Sequence, residues 1–384
     1  MKLLITNIKK LLQVENHPPE FRRGKEMQTL PSLENAFLYC IDDKIVDFGI
    51  MMDMPSEYLA SDTVIDATGR LVFPGYCDPH THLVYAGSRE MEYIDKIKGL
   101  SYEEIAKRGG GILNSARLLH NTSEEELFEQ SSARVLEIMN QGTCSVEIKS
   151  GYGLNTEDEL KILRVIRRIR DEFPLTVKAN FLGAHAVPDE FKGRQGKYVD
   201  LLINEMIPAI AEANLADFID VFCDTGFFTP QETSKILKAG IHYGLRPKIH
   251  ANELGFSGGI QTGVEHNALS VDHLEFTGDD EIKVLLNSRT MPTLLPGSSF
   301  FLGIGYAPAR KMIDSGLPLA LASDYNPGSS PSGNMSFIFS LACINLKMLP
   351  EEALNALTIN SAYAMGVEVN EGTICQGKSS SFII

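Results

Sequence analysis

The run Asp78-Pro79-His80-Thr81-His82 places two imidazoles two residues apart. On an extended strand, residues at i and i+2 face the same side, so His80 and His82 can close on one ion. Neutral imidazole suits Zn2+ or iron. Alone, such a pair fits two packing or surface histidines equally well. It gains weight from His250, in Ile249-His250-Ala251-Asn252-Glu253, and from Asp324, in Ala322-Ser323-Asp324-Tyr325-Asn326-Pro327-Gly328. The four side chains make a set of three nitrogens and one oxygen with room for a water, the open position a catalytic metal site needs. A carboxylate beside an activated water can orient it and accept its proton. The bland alternative for Asp324 is a turn acid ahead of a Pro-Gly loop.

Other candidates surround this set. Glu253 follows His250 by three residues, and His273 stands in Val271-Asp272-His273. Both are candidate proton shuttles or substrate ligands; otherwise they are a helix-start carboxylate and a core histidine. His185, in Leu182-Gly183-Ala184-His185, is placed to meet substrate rather than metal. Arg89, in Gly87-Ser88-Arg89-Glu90, can clamp a substrate carboxylate through two parallel hydrogen bonds. On residue type alone, a surface ion pair with Glu90 or Glu92 is the better reading of it. Lys149-Ser150-Gly151-Tyr152-Gly153 and Pro296-Gly297-Ser298-Ser299 read as strand-end loops that supply backbone donors and, in Tyr152, a hydroxyl. Gly109-Gly110-Gly111-Ile112 lacks the GxxxxGK[ST] pattern of a phosphate loop, and reads as a loop over the site. No GxSxG elbow marks a serine nucleophile, and Cys77 should point away from the site if His80 and His82 point in.

Scattered ligands need a frame that gathers them. From Leu71 on, apolar strands alternate with amphipathic helices, the mark of a parallel sheet with crossovers. Eight candidate strands span 71–78, 143–149, 176–184, 218–224, 247–252, 269–274, 290–295 and 318–323. Helical patterns lie between them, one from a Ser123 cap to Gly142 and another from a Thr156 cap with acids in its first turn. Eight such units predict an α/β fold of the (β/α)8 TIM-type barrel class over 71–358. Its functional residues then lie at the carboxyl ends of strands. Of nine histidines, His80, His82, His185, His250 and His273 fall at or just after such ends. Residues 1–70 read instead as short strands with turns, and the segment 359–384 returns to turn-rich texture. Together they predict a smaller β-sandwich domain built from both termini.

Composition narrows the partners. The chain has 384 residues and a formal net charge of −15. Nucleic acid and anionic membrane both need concentrated positive charge, so neither is expected as a partner. A small anionic substrate remains compatible, since one local Arg acts within a Debye length. Six cysteines without a CxxC pair read as reduced thiols. The first residues carry no sustained apolar segment of the signal-peptide kind, and no run of about 18 apolar residues occurs. A cytoplasmic enzyme acting on a small molecule is expected.

The segments FPGYCDPHTHLVYAGSRE, GGGILNSAR, EIKSGYGL, LGAHAVP, IHANEL, VDHLE and ASDYNPGSSPS resemble those of the imidazolonepropionases of the amidohydrolase superfamily, in order from about residue 70 to 340. PHTH marks only the superfamily; YAGSRE, KSGYGL and SDYNPGS are more specific. The resemblance implies metal-dependent hydrolysis of 4-imidazolone-5-propanoate to N-formimidoyl-L-glutamate, in histidine degradation. It implies one Zn2+ or Fe3+ per subunit, held by His80, His82, His250 and Asp324. It implies that Arg89 binds the propionate, with Tyr152, His185, Glu253, Asn326, Gly328 and Ser329 around ring and side chain, and that the protein forms a homodimer. Proton transfer falls to Asp324, His273 and Glu253, in an order the residues leave open. One departure stands out. Family members normally continue past the Gly377-Lys378 segment to complete the small β domain, whereas this sequence reads Ser379-Ser380-Ser381-Phe382-Ile383-Ile384.

Three competing activities are weighed. A deaminase of a heterocyclic ring uses much the same metal set but needs no carboxylate clamp. A two-metal cyclic amidase wants a lysine at the end of the fourth strand, where Phe222-Cys223-Asp224-Thr225 has none. A non-catalytic binder would keep the fold without metal or turnover.

Overall fold

The computed structural model describes residues 1–100 and 110–384. Two sheets organise it. The first is six-stranded and made from the ends of the chain, in the order β15-β5-β1-β2-β3 with β4 also on β1. Its strands are β1 (Lys2–Leu12), β2 (Ser32–Ile41), β3 (Lys44–Ile50), β4 (Thr63–Asp66), β5 (Leu71–Pro74) and β15 (Phe382–Ile383). β2 lies antiparallel along β1, while β4 and β5 pair parallel with its two halves, Leu3 opposite Thr63 and Lys10 opposite Leu71. Ile5, Ile8, Leu11, Leu38, Ile45 and Val72 form the apolar centre of this unit, and Ile374 of the returning tail joins them. β15 adds antiparallel to β5, Phe382 opposite Pro74.

The second sheet curls into the barrel. Its strands run parallel in the order β14-β13-β12-β11-β9-β8-β7-β6. They are β6 (Tyr76–Thr81), β7 (Thr143–Lys149), β8 (Thr176–Ala184), β9 (Phe218–Cys223), β11 (Ile249–Ala251), β12 (Ser270–His273), β13 (Met291–Leu294) and β14 (Ala320–Leu321); the short β10 (Arg246–Pro247) also pairs with β9. The ring closes at its rim rather than along a full ladder. Thr81 bridges Tyr325, the His82 amide donates to Tyr325 O (2.9 Å), and the Asp324 amide donates to His80 O (3.1 Å). Each strand is sequestered on both faces, which is why β9 reads FIDVFC and is buried throughout.

Two local expectations are corrected. The strand expected over 71–78 is two strands, with Leu71–Pro74 in the terminal sheet and Tyr76–Thr81 in the barrel. Gly75 makes the break possible: a Cβ there would lie 2.2 Å from Cys144 Sγ, so only glycine lets the chain pass from one sheet to the other at this spot. The helix expected to begin at a Thr156 cap is capped by Asn155, whose side chain accepts from the Asp158 amide (2.9 Å); Thr156 is its first residue. Threonine and asparagine both cap well, so residue type alone could not choose between neighbours. The Ser123 cap stands, on Glu124–Asn140. Of the glycine run read as a loop over the site, Gly109 lies outside the described residues. Gly110 and Gly111 lead into the helix Ile112–His120.

Candidate metal centre and substrate cavity

His80 is the last residue but one of β6 and His82 directly follows the strand, so its alternation sends both rings inward. His250 sits in the middle of β11 on the same interior. Among the described residues these three form a metal-binding group, with one ring nitrogen from each lying within 4.8 Å of the others. Asp324 joins them, its Oδ1 3.6 Å from His80 Nε2 and 3.7 Å from His82 Nε2. All four are buried.

The surroundings fit a bound cation. His80 Nδ1 contacts Asp272 Oδ2 at 2.7 Å, and His250 Nδ1 contacts Asp220 Oδ1 at 3.1 Å. Each carboxylate holds the Nδ1–H tautomer, so Nε2 is the lone-pair nitrogen presented inward. His80 Nε2 is buried without a hydrogen-bond partner, a costly state that a metal ion would relieve. Burial, followed by the nearby Lys149 charge, keeps His80 well below the usual histidine range. Burial and His185 do the same for His82. Both rings are therefore neutral, the form that ligates.

Backbone strain helps deliver the donors. Asp272 and His273 are consecutive, and on a straight strand they would face opposite sides. His273 has φ 85°, which turns the chain and lets both reach the interior. Asp324 has φ 55° just past β14. Non-glycine residues in this region are uncommon and gather at functional sites. His273 Nε2 lies 3.8 Å from Glu253 Oε2. Burial, reinforced by Glu275 and Asp324, pushes the Glu253 carboxyl well above its ordinary range and so favours the protonated acid.

One cavity of about 290 Å3 opens onto this cluster, and it is lined by His82, Tyr152, His185, His250, Glu253, His273, Asp324, Asn326, Gly328, Ser329 and Arg89. Phe222, Phe227, Ile112, Leu302 and Ile304 supply apolar wall. The His185 Nδ1 lies 3.0 Å from Gly151 O, and burial lowers its pKa to about 3. That neutral ring donates to the carbonyl through Nδ1. Gly151 is required where it stands, with φ 107° and a would-be Cβ 2.8 Å from Leu182 O. Asn326 braces its own turn. Its Nδ2 donates to Asp324 O (2.6 Å) and Ser329 Oγ (2.7 Å), while its Oδ1 accepts from the Gly328 and Ser329 amides. Ser329 Oγ in turn reaches Asp324 Oδ2 at 3.3 Å.

Arg89 pairs with Glu92, as one reading expected, but the pair is buried rather than at the surface. Arg89 donates through Nε (2.9 Å) and Nη2 (2.6 Å) to Glu92 Oε2, and it lines the cavity. Glu92 also accepts from the Gly111 amide (3.1 Å) and Asn114 (3.3 Å), so the pair is built into the wall. Gly328 packs against the guanidinium closely enough that a Cβ would fall 2.1 Å from Arg89 Nη1. Cys77 packs with Ala362, Met365 and Val367, away from the histidines.

Sequence reasoning missed the layer beneath the histidines. Glu147, Lys149, Asp220, Lys248 and Asp272 are all fully buried inside the barrel. Three of them stand two residues before a site residue or strand end: Asp220 on β9 before Phe222, Glu147 on β7 before Lys149, and Lys248, between β10 and β11, before His250. A charge inside a continuously apolar strand was the available signal. Lys96 was missed as well; its Nζ donates to Gly328 O (2.9 Å) and it lines the cavity.

The Amidohydrolase family profile matches residues 71–384. The imidazolonepropionase of Christiangramia forsetii is 55% identical over 384 residues, covering 100% of this chain and 93% of that one. The imidazolonepropionase of Alkaliphilus oremlandii is 43% identical over 382 residues, covering 99% and 90%. Among solved structures, a triazine hydrolase variant aligns with a TM-score of 0.74 at 15% identity, over 99% of this chain and 86% of that one. Guanine deaminase from C. acetobutylicum with bound guanine aligns with a TM-score of 0.70 at 15% identity, over 100% and 90%. These two likenesses speak for the fold. The family match across the barrel and the full-length identity to named relatives go further: this chain belongs to the amidohydrolase family and, within it, to the imidazolonepropionases.

Proposed function

We propose that the cavity takes 4-imidazolone-5-propanoate and hydrolyses its ring to N-formimidoyl-L-glutamate, with one Zn2+ or Fe3+ held by His80, His82, His250 and Asp324. The observation that carries this reading is the sharing of one cavity of about 290 Å3 by the histidine–aspartate cluster and a buried arginine. A ring with a carboxylate on a short arm needs both ends of such a space.

When bound, the ion supplies Lewis-acid polarisation and an activated water. The chain does the rest. Arg89 takes the propionate, and Glu92 holds its guanidinium in place. Tyr152 and His185 frame the ring, and the Asn326–Ser329 turn closes the floor. Asp324 accepts the proton of the attacking water as it adds to the ring carbonyl. Glu253, whose burial favours the protonated acid, gives a proton to the leaving nitrogen as the carbon–nitrogen bond breaks, and His273 beside it relays protons between the two acids. This division of labour rests on the position of the three groups around the cavity.

The test is an ultraviolet assay that follows loss of the imidazolone ring. Arg89→Lys keeps a cation for Glu92 but loses the two-pronged clamp. It is expected to raise KM about 10- to 100-fold with kcat within about threefold, since one charge-assisted hydrogen bond is worth ~1.5–3 kcal/mol. An unchanged KM would remove the carboxylate from the argument and favour a deaminase acting on a neutral ring. Gly328→Ala offers a steric check. The new Cβ would meet Arg89 Nη1 at 2.1 Å and Cζ at 2.3 Å, so the guanidinium must move while the fold survives. KM should rise about tenfold, with the thermal midpoint within about 2 °C of wild type because only the end of a flexible side chain is displaced. A wild-type KM in this variant would show that Arg89 does not need its present position.

This reading carries with it a homodimer and a cytoplasmic site of action. The unpaired state of all six cysteines is compatible with a reducing compartment. Among the described residues, no helix is long and apolar enough to cross a membrane.

A further inference from the structure

Two of the three histidines owe their orientation to acids, and one lysine joins those acids. Lys149, at the end of β7, is fully buried. Its Nζ lies 2.8 Å from Asp220 Oδ2 and 3.5 Å from Asp272 Oδ2, and it donates to Glu147 Oε1 at 2.6 Å. Asp220 spends its other oxygen on His250 Nδ1; Asp272 Oδ2 also meets His80 Nδ1. Asn180 completes the cluster, its Nδ2 donating to Glu147 Oε1 (2.8 Å) and Asp220 Oδ2 (3.0 Å). Lys248 ties in from the next strand, paired to Glu147 Oε2 and donating to Pro79 O at 3.0 Å, one residue before His80.

We propose that Lys149 is a positioning residue for the metal ligands: its ammonium locks the acceptors of His80 and His250 into one unit, and so sets the affinity of the site for its ion. Three buried carboxylates cannot share this interior without cations between them. With Lys149 on its Oδ2, Asp220 turns Oδ1 to His250 Nδ1 and the Val221 amide; Asp272 meets Lys149 and His80 Nδ1 with the same Oδ2, while its Oδ1 accepts from Ser270 Oγ at 2.5 Å. Residues that orient ligating histidines typically change metal affinity 10- to 100-fold when lost. Lys149 stands one step further out, yet it acts on two ligands at once.

The inference rests on the metal reading above, and the test separates the two. The probe is Zn2+ alone, titrated against a chromophoric chelator into stripped protein; wild-type protein that takes up no Zn2+ would sink the metal reading itself. With wild-type binding established, Lys149→Met is expected to weaken Zn2+ affinity at least tenfold in folded protein. Because that change leaves an unbalanced carboxylate, the double variant Lys149→Met with Glu147→Gln restores the charge balance without touching either acid that holds a histidine. It is expected to fold, to recover most of the lost thermal stability, and still to bind Zn2+ at least tenfold more weakly. Wild-type affinity in either folded variant overturns the proposal. Failure of the balanced double variant to fold overturns it too, since the cluster would then serve the barrel and not the ligands.

Discussion

Asp324→Asn is expected to lower kcat about 10³-fold, within the range for loss of a positioned acid–base group. The substitution is nearly isosteric. The turn that carries Asp324 is held by backbone ties to His80 and by Asn326 and Ser329, so the fold should be unaffected. What changes is the capacity to take a proton at Oδ1, the atom that faces His80 and His82 at 3.6 and 3.7 Å. Metal content must be measured alongside turnover. Retained metal with lost turnover assigns Asp324 to proton transfer; loss of both assigns it chiefly to holding the ion. Full turnover with full metal content would contradict the proposed mechanism outright.

Stripping the metal is the second large effect. A chelator that removes the ion should leave less than about 1% of ring-opening activity, since three imidazoles and a carboxylate offer no replacement for a Lewis acid. One equivalent of the native metal should restore it, and side-by-side reconstitution with Zn2+ and with iron decides which one that is. Stability gives an independent reading. An ion present at a hundred times its dissociation constant stabilises the folded chain by about 2.7 kcal/mol, so the stripped protein should melt earlier even where turnover is not assayed. Undiminished turnover after complete removal of metal would end the metal-dependent reading. A protein that binds the imidazolone and leaves it intact with metal bound would point to the non-catalytic alternative.

Much of this molecule was legible in its residues. Strands β7 and β8 begin and end at 143–149 and 176–184 as read from the sequence, because buried parallel strands are largely apolar along their length. His80 and His82 could be placed together from local spacing alone, since the two-residue period of a strand is a covalent fact. Glu253, His273 and Asp324 could be nominated because the barrel collects strand ends at one rim, whereas Arg89 was nominated only through the family resemblance. Position along a barrel strand thus carried nearly as much information as residue type.

Other features became visible only with the chain folded. The division of 71–78 into two strands depends on Cys144 lying against Gly75, a contact between residues far apart in sequence. That Asp272 and His273 serve the same site runs against strand alternation and depends on the positive φ at His273. The layer of Glu147, Lys149, Asp220, Lys248 and Asp272 comes from β7, β9, β12 and the Lys248 link between β10 and β11, and beyond the Glu147–Lys149 pair no one strand shows that its charges have partners. Local periodicity is set by bonds along the chain, so the sequence by itself determined the barrel, its strands and the inward histidines. Which buried charges neutralise one another, and where the backbone bends to deliver a ligand, depends on contacts across the ring, and only the tertiary structure decided those.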